Sequence, residues 1–262
     1  MQASLNIMQN IKVDSSITAF KYAIIIPCYN EESRLPFDAF YDFSTNHPEV
    51  YLCFVNDGST DQTLSILRGL QLQCLANTCV YHISKNVGKA EAVRLGVLYI
   101  YREYNIPIIG FLDADLATHP EEWLFMAKYH EDHNQFAAII GSRIQRLGAN
   151  ISRDSGRSFF SKMIAFFIKT LLKAQFQDTQ CGAKLFQREL IPYLFGKKYI
   201  SSWLFDIEIF IRIQQKFGKR ALQYGVLEYP LLDWQEVGDS RIKFRHILKI
   251  PYNLCQIYLK YK

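Results

Sequence analysis

Apolar residues in this chain fall into short solid runs separated by longer, one-sided stretches. Residues 22–27 (YAIIIP) form a β-branched run closed by Pro27, which predicts a buried strand. Residues 36–46 predict a helix, and 50–55 (VYLCFV) a second buried strand, closed by the turn set Asn56-Asp57-Gly58-Ser59. A helix is expected from Thr60-Asp61 onward, with Leu64, Ile66, Leu67 and Leu70 as its apolar part. Residues 79–83 predict a third strand, 88–104 an amphipathic helix and 107–112 (PIIGFL) a fourth strand. Alternation of this kind predicts a mainly parallel sheet flanked by helices. Such sheets bind ligands at the carboxyl ends of their strands.

The second half is less regular. Helices are expected over 121–134, 158–176 and 202–217, and strands over 136–141 and 222–229. No internal repeat, low-complexity tract or Pro/Gly-rich linker interrupts the chain. The expectation is an α/β protein with one domain over 21–240, an N-terminal extension (1–20) and a basic amphipathic C-terminal segment (241–262).

At 262 residues, 49% apolar and 15% aromatic, the chain is long enough for one large core of this type. Its net charge of +5 is gathered at the end, where Arg241, Lys243, Arg245, Lys249, Lys260 and Lys262 face only Asp239. Such an end suggests an anionic partner, phospholipid or phosphate, and suits a solvated helix end equally well. Nucleic-acid binding would rest on charge alone and is set aside. The six cysteines show no C-x-x-C pair and no zinc-like spacing with the six histidines, and several lie in apolar runs, which reads as a reducing compartment. No cationic start followed by an apolar run suggests a signal peptide. The most apolar stretches, near 159–176 and 247–259, fall short of the ~20 apolar residues of a spanning helix. A soluble or peripheral protein is expected.

Candidate chemistry collects at strand ends. Phe111-Leu112-Asp113-Ala114-Asp115 is an apolar run ending in two carboxylates, which strand periodicity projects to one face. Two hard oxygen donors suit Mg²⁺ or Mn²⁺, whose shell is completed by phosphate oxygens and water, and so imply a nucleoside diphosphate. In Pro27-Cys28-Tyr29-Asn30-Glu31-Glu32, the Tyr29 ring can lie against a base and Glu31 can accept from ribose hydroxyls. Asp57 can accept from a nucleobase N–H, with Gly58 permitting close approach. Asn86-Val87-Gly88-Lys89 offers backbone N–H groups and a cation to phosphate. Each motif alone reads more readily as a turn or helix cap; their ordered joint occurrence is what counts.

These motifs, P-x-Y-N-E, [DN]-D-G-S-x-D, N-x-G-K and D-x-D, resemble those of inverting family-2 glycosyltransferases. The resemblance implies a single Rossmann-like domain, the A-type nucleotide-diphospho-sugar transferase fold. Asp115-Leu-Ala-Thr118, Asp178-Thr-Gln-Cys-Gly-Ala-Lys-Leu-Phe186 and Trp203-Leu-Phe-Asp206-Ile-Glu208 are similar to stretches of the polyprenyl-phosphate sugar transferases within that family, the dolichyl-phosphate β-glucosyltransferases in particular. Trp234-Gln-Glu-Val-Gly-Asp-Ser-Arg241 is similar to their W-x-E-V-x-G-S-[KR] segment. The similarity spans residues 22–245. Three positions depart from it: Asn56 stands where Asp is common, Ala117 where mannosyl relatives have Gln, and Asp239 splits Gly238 from Ser240.

The resemblance implies metal-dependent transfer of a hexose, with inversion, to dolichyl or undecaprenyl phosphate. The expected donor is UDP-glucose, with GDP-mannose as the alternative. Asp113 and Asp115 would hold Mg²⁺ or Mn²⁺, and Pro27, Tyr29, Glu31, Asp57, Lys89 and Ala114 would bind the donor. Arg143, Arg153, Arg157 and Arg241 would gather acceptor and diphosphate oxygens, since guanidinium matches phosphate bidentately. A phosphate acceptor is already ionised and has little need of a general base. Asp206 and Glu208 fall where hydroxyl-attacking relatives place one, and are the catalytic residues of the alternative, transfer to a sugar or protein hydroxyl. A helix over 159–173 and the 244–262 segment would rest in the membrane interface at the cytosolic face. For the first of these a plain core helix is the rival.

Overall fold

The solid apolar runs form strands with both faces covered. β1 (Tyr22–Cys28) pairs in parallel with β2 (Val50–Asp57), which pairs in parallel with β3 (Thr78–Ile83); on its other side β1 pairs in parallel with β4 (Ile108–Phe111). Helices α1 (Phe37–Asn46), α2 (Thr63–Gln73), α3 (Lys89–Glu103) and α4 (Pro120–Asp132) follow these strands in turn. The computed structural model describes residues 20–152, 176–236 and 244–261. Arg153, Arg157 and Arg241 lie outside them, as do residues 1–19 and the expected helix over 158–176 except its last residue.

The chain continues through β5 (Ala138–Ser142), β6 (Asn150–Ser152), β7 (Lys184–Gln187), the short α5 (Ile191–Phe195), α6 (Phe205–Tyr224), β8 (Val226–Pro230), β9 (Asp233–Gln235) and α7 (Phe244–Tyr261). Strand order in the main sheet is β3-β2-β1-β4-β7-β5-β8, with β7 antiparallel to both neighbours and the other strands running one way. β6 and β9 form a separate two-stranded parallel ladder. The order reverses between β1 and β4, which opens a crevice at the carboxyl ends of those strands.

Side chains alternate across the sheet. Ala23 and Ile25 of β1 join a core with α3, α5, α6 and α7, whereas Tyr22, Ile24 and Ile26 join one with α1, α2 and α4. Wholly buried phenylalanines anchor both layers, Phe40 and Phe54 on one and Phe111, Phe186 and Phe205 on the other. Each contributes about 1.5–3 kcal/mol on leaving water.

Several expectations are corrected. β4 ends at Phe111, so Asp113 and Asp115 sit in the loop beyond it, and Leu116 turns that loop at φ 53. Strand periodicity therefore does not set their directions. α2 begins at Thr63, not Thr60, because the Asp61 carboxylate accepts Thr63 N–H and Oγ1–H at 3.0 and 2.6 Å and holds a turn there. α6 runs to Tyr224 through a break at Gly218 (φ 84), taking residues expected to open a strand. The short elements β6, β7, α5 and β9 carried too little pattern to be foreseen. α7 lies on the domain: Leu254 and Ile257 are in its core.

Candidate active site

Two loops close the crevice from the β1 and β2 side. Asn30, at φ 49, accepts Thr60 N–H on Oδ1 at 2.9 Å and donates its own N–H to Ser59 Oγ at 3.0 Å. Glu32 N donates to Asp61 and Gln62 N to Glu32, so the loops after β1 and β2 are tied at several points. Glu31 is buried and accepts the Arg34 Nε–H at 2.7 Å, while Tyr29 is half-buried beside it. Gly58 stands at φ 63 with the Lys85–Asn86 backbone against it; a Cβ there would overlap main chain.

Asp57 is buried, and its oxygens accept Val87 N–H at 2.7 Å, Gly88 N–H at 2.9 Å and the Asn86 amide at 3.1 Å. Burial raises its pKa, against the lowering effect of those backbone bonds. Three of roughly four lone-pair directions on the carboxylate are thus used to hold the loop that starts α3. Its expected role toward a nucleobase has at most one direction left.

That loop delivers Lys89, the first residue of α3, whose Nζ stands 2.5 Å from Asp113 Oδ1. Burial works against the Lys89 charge, but Asp113 and Asp206 outweigh it and raise its pKa, so it is an ammonium at neutral pH. Asp115 accepts Ala117 N–H at 3.1 Å, and burial together with the Asp113 charge pushes its carboxyl up. Ala114 between them is buried. Gly182 leans on the Asp113 carboxylate so closely that any side chain there would collide with it.

Asp206, in the first turn of α6, pairs through Oδ1 with Lys184 Nζ at 2.7 Å. Burial raises its pKa, and the charges of Lys184 and Lys89 pull the other way. Glu208 does not join the cluster. Two residues on, about 200° around the helix, it is fully buried and accepts Ile200 N–H at 2.7 Å, Ser201 N–H at 3.2 Å and Tyr261 O–H at 3.0 Å. Its carboxylate pins a loop and α7, which corrects the pairing of Asp206 and Glu208 as joint catalytic residues.

At the end of β5, Arg143 is committed bidentately to Asp178, Nε and Nη2 at 2.6 and 2.7 Å, with its guanidinium over Trp234 at 5.2 Å. Burial disfavours its charge, but Asp178 more than compensates and raises its pKa. Glu228 fixes this pair in turn, accepting the Gln177 and Asp178 N–H groups and the Ser142 hydroxyl. Lys184, Gly182 and Asp178 had no assigned role from sequence. The visible signal was Lys184, a cation inside the apolar run Ala183–Phe186, where charge survives only if paired.

A family model described as "Glycosyl transferase family 2" matches residues 23–195, which contain the four strand-end motifs and the Gly182–Lys184 stretch. The chain belongs to glycosyl transferase family 2. A dolichyl-phosphate beta-glucosyltransferase of Trichomonas vaginalis is 30% identical to this glycosyltransferase over 250 residues, covering 91% of this chain and 71% of the relative. The human dolichyl-phosphate beta-glucosyltransferase is 29% identical over 259 residues, covering 91% and 75%. Among solved structures, glucosyl-3-phosphoglycerate synthase from Mycobacterium tuberculosis, crystallised with Mn²⁺, UDP-glucose and phosphoglyceric acid, shares the fold. The TM-score is 0.66 at 14% identity, covering 91% of this chain and 80% of that one.

The residues around the glycosyltransferase's Asp113 fit a hard divalent cation. Asp113 Oδ1 is buried with the Lys89 ammonium 2.5 Å away, and burial together with the Asp113 charge raises Asp115, a repulsion that a divalent cation held by both acids would relieve. Among the described residues no group of three or more His, Cys, Asp or Glu stands together, so a cation on Asp113 and Asp115 would take its other ligands from phosphate oxygens and water.

Proposed function

We propose that this glycosyltransferase moves glucose from UDP-glucose to a polyprenyl phosphate, dolichyl phosphate foremost, with inversion at the anomeric carbon. The observation that carries the reading is the two ion pairs, Asp113 with Lys89 and Asp206 with Lys184, at the strand-order reversal. The names of relatives about 30% identical along nearly the whole chain support donor sugar and acceptor.

Asp113 and Asp115 would hold Mg²⁺ or Mn²⁺, and the ion would offset the charge of the departing diphosphate. Lys89 supplies a second positive charge from the first turn of α3, where the helix N-terminus also favours phosphate. Pro27, Tyr29, Glu31 and Ala114 would bind the nucleoside, and Asp57 acts by holding the loop that presents Lys89. Arg143, Arg157 and Arg241 would gather oxygens of the acceptor phosphate.

The phosphate acceptor attacks as an anion, so no proton has to be removed and no general base is required. Asp206, ion-paired to Lys184, orients cations rather than taking a proton. Among the described residues no helix is long and apolar enough to cross a membrane. The exposed Tyr252, Tyr258 and Leu259 of α7 support peripheral contact with the cytosolic face, where the lipid phosphate is met.

The test is incubation with radiolabelled UDP-glucose, GDP-mannose or UDP-N-acetylglucosamine, each with polyprenyl phosphate and Mn²⁺, scored by organic extraction. Label entering the lipid phase from UDP-glucose alone is the expected outcome. Label that stays aqueous with every donor, or appears on a free sugar or protein hydroxyl, overturns the proposal.

A further inference from the structure

Arg143 follows the last residue of β5, at the same edge of the sheet as the loop that carries Asp113. Its guanidinium is held along one edge and one face. The Asp178 carboxylate accepts Nε–H at 2.6 Å and one Nη2 hydrogen at 2.7 Å, and takes the Arg143 main-chain N–H at 3.0 Å as well. The Trp234 ring covers one face, with its centre 5.2 Å from Cζ. A guanidinium carries five N–H donors in a fixed planar arrangement. Among the described residues nothing accepts from Nη1 or from the second Nη2 hydrogen, and the side chain keeps 20% of its surface. One bidentate fork is filled by Asp178, and the other, Nη1 with Nη2, is open.

The groups that hold Arg143 are fixed in turn. Glu228 of β8 accepts the Asp178 N–H at 2.6 Å and the Ser142 hydroxyl at 2.8 Å, which fixes the main chain at Asp178. Trp234 is buried in β9. The next residue, Gln235, donates its N–H to Ala117 O at 3.2 Å, and Ala117 donates its own to Asp115 at 3.1 Å. In the other direction the loop after Asp178 reaches Gly182, which stands against the Asp113 carboxylate. Printed contacts therefore tie Arg143 on both sides to the loop that carries the two acids. Paired with Asp178, the guanidinium has little net charge to attract an anion from a distance. What it offers a phosphate is direction, since the open fork matches two oxygens of one phosphate group.

We propose that Asp178 and Trp234 are positioning residues for the acceptor: they hold the Arg143 guanidinium by one edge and one face, and so present its Nη1–Nη2 fork to a phosphate monoester. This rests on the acceptor reading above and extends it to two residues that act through Arg143. A pair that only closed the loop over 178–182 would contribute stability and leave phosphate affinity untouched. A positioning pair sets that affinity.

The experiment compares the parent with Asp178→Asn, Trp234→Leu and Arg143→Gln in the full chain. Thermal melts report folding, and initial rates separate kcat from each KM. Calorimetric titrations with UDP and Mn²⁺, with a short-chain prenyl phosphate and with glycerol phosphate report the donor and acceptor halves separately. Asn keeps the shape of Asp178 but not its charge-assisted bidentate hold, so prenyl phosphate affinity falls about tenfold and the acceptor KM rises by the same factor. UDP affinity and kcat stay parental, the signature of lost ground-state binding. Trp234→Leu shows the same split, and Arg143→Gln loses phosphate binding. Tighter binding of prenyl than of glycerol phosphate assigns the fork to a lipid headgroup; equal binding assigns it to phosphate as such, and either supports the proposal. A folded Asp178→Asn with parental prenyl phosphate affinity and acceptor KM overturns it. Should that variant not fold, a folded Trp234→Leu with parental values does the same, as does a parent that binds neither phosphate or an Arg143→Gln variant that binds them as the parent does. A parent that binds phosphate through Arg143 yet transfers no glucose to lipid upholds the fork and sinks only the function proposed above, so the two failures are distinguishable.

Discussion

Gly182→Ala tests whether the position of Asp113 matters apart from its charge. The added Cβ would fall on the Asp113 carboxylate, overlapping Cγ and Oδ2 and standing 3.0 Å from Oδ1. The obstacle is the end of a side chain, so Asp113 yields by rotating, and its pair with Lys89 at 2.5 Å opens. Overpacking costs about 1–3 kcal/mol in a tight core. Here the cost lies at the lower end, because the carboxylate is 33% exposed and can relax toward solvent. The lost pair adds little, since both groups are partly solvated and such pairs contribute about 0–1 kcal/mol. A loss near 1 kcal/mol shifts Tm by about 2–4 °C in a chain of this size. A carboxylate displaced by roughly 1 Å lowers the rate about 10²-fold. Calorimetric melts, manganese binding followed by electron paramagnetic resonance and initial rates read these effects separately. Gly69→Ala, in α2 with nothing within 4 Å of the new methyl, serves as control. A folded Gly182→Ala with manganese affinity and rate within twofold of the parent would refute the claim that this carboxylate must stand where it does.

Asp57→Ala removes the acceptor of two backbone N–H groups and the Asn86 amide. With each buried unsatisfied donor costing about 1–3 kcal/mol, a loss of roughly 2–4 kcal/mol is expected in urea unfolding, and weaker UDP binding should accompany the freed Lys89 loop. A variant of parental stability refutes the pinning role. Glu208→Gln and Asp206→Asn should separate in rate: the first destabilises by about 1–3 kcal/mol through its bonds to Ile200, Ser201 and Tyr261 and leaves kcat of the folded fraction unchanged, while the second, which also destabilises by leaving Lys184 unpaired, lowers kcat of the folded fraction. A rate loss for Glu208→Gln matching that of Asp206→Asn at equal folded fraction counts against this division.

The pH dependence of stability should carry a histidine signature. Burial holds the His130 imidazole below its ordinary value, against the Nε2–H bond it donates to Phe136 O at 2.8 Å. The unfolded chain therefore takes up this proton first as pH falls. The stabilising contribution is complete above the unfolded value of about 6.5 and is lost as pH drops through it toward the folded value. Melts from pH 7.5 to 5.5 should show a falling Tm, with a shallower slope in His130→Gln. A slope unchanged by that substitution removes the assignment.

Local pattern determined much of this protein. β1 to β4 were legible because a strand covered on both faces must be apolar at successive positions, as Tyr22–Ile26 and Val50–Val55 are. The polar motifs at their ends were legible because a chain leaving a core becomes polar there, and the order of four such ends carries the family resemblance. Sequence reasoning lost the elements whose residues depend on distant partners. Lys184 reads as a poor strand residue until Asp206, in α6, neutralises it. Asp57 reads as free to bind a base until the loop about thirty residues on occupies its oxygens. Asp206 and Glu208 look equivalent along the chain, and helix phase against the sheet sends only one to the crevice. The antiparallel entry of β7 between β4 and β5 is likewise a matter of sheet order. Apolar periodicity is a property of neighbours in sequence, so the chain carries it alone; the fate of a buried charge is set by what folding brings beside it, and only the tertiary structure decides that.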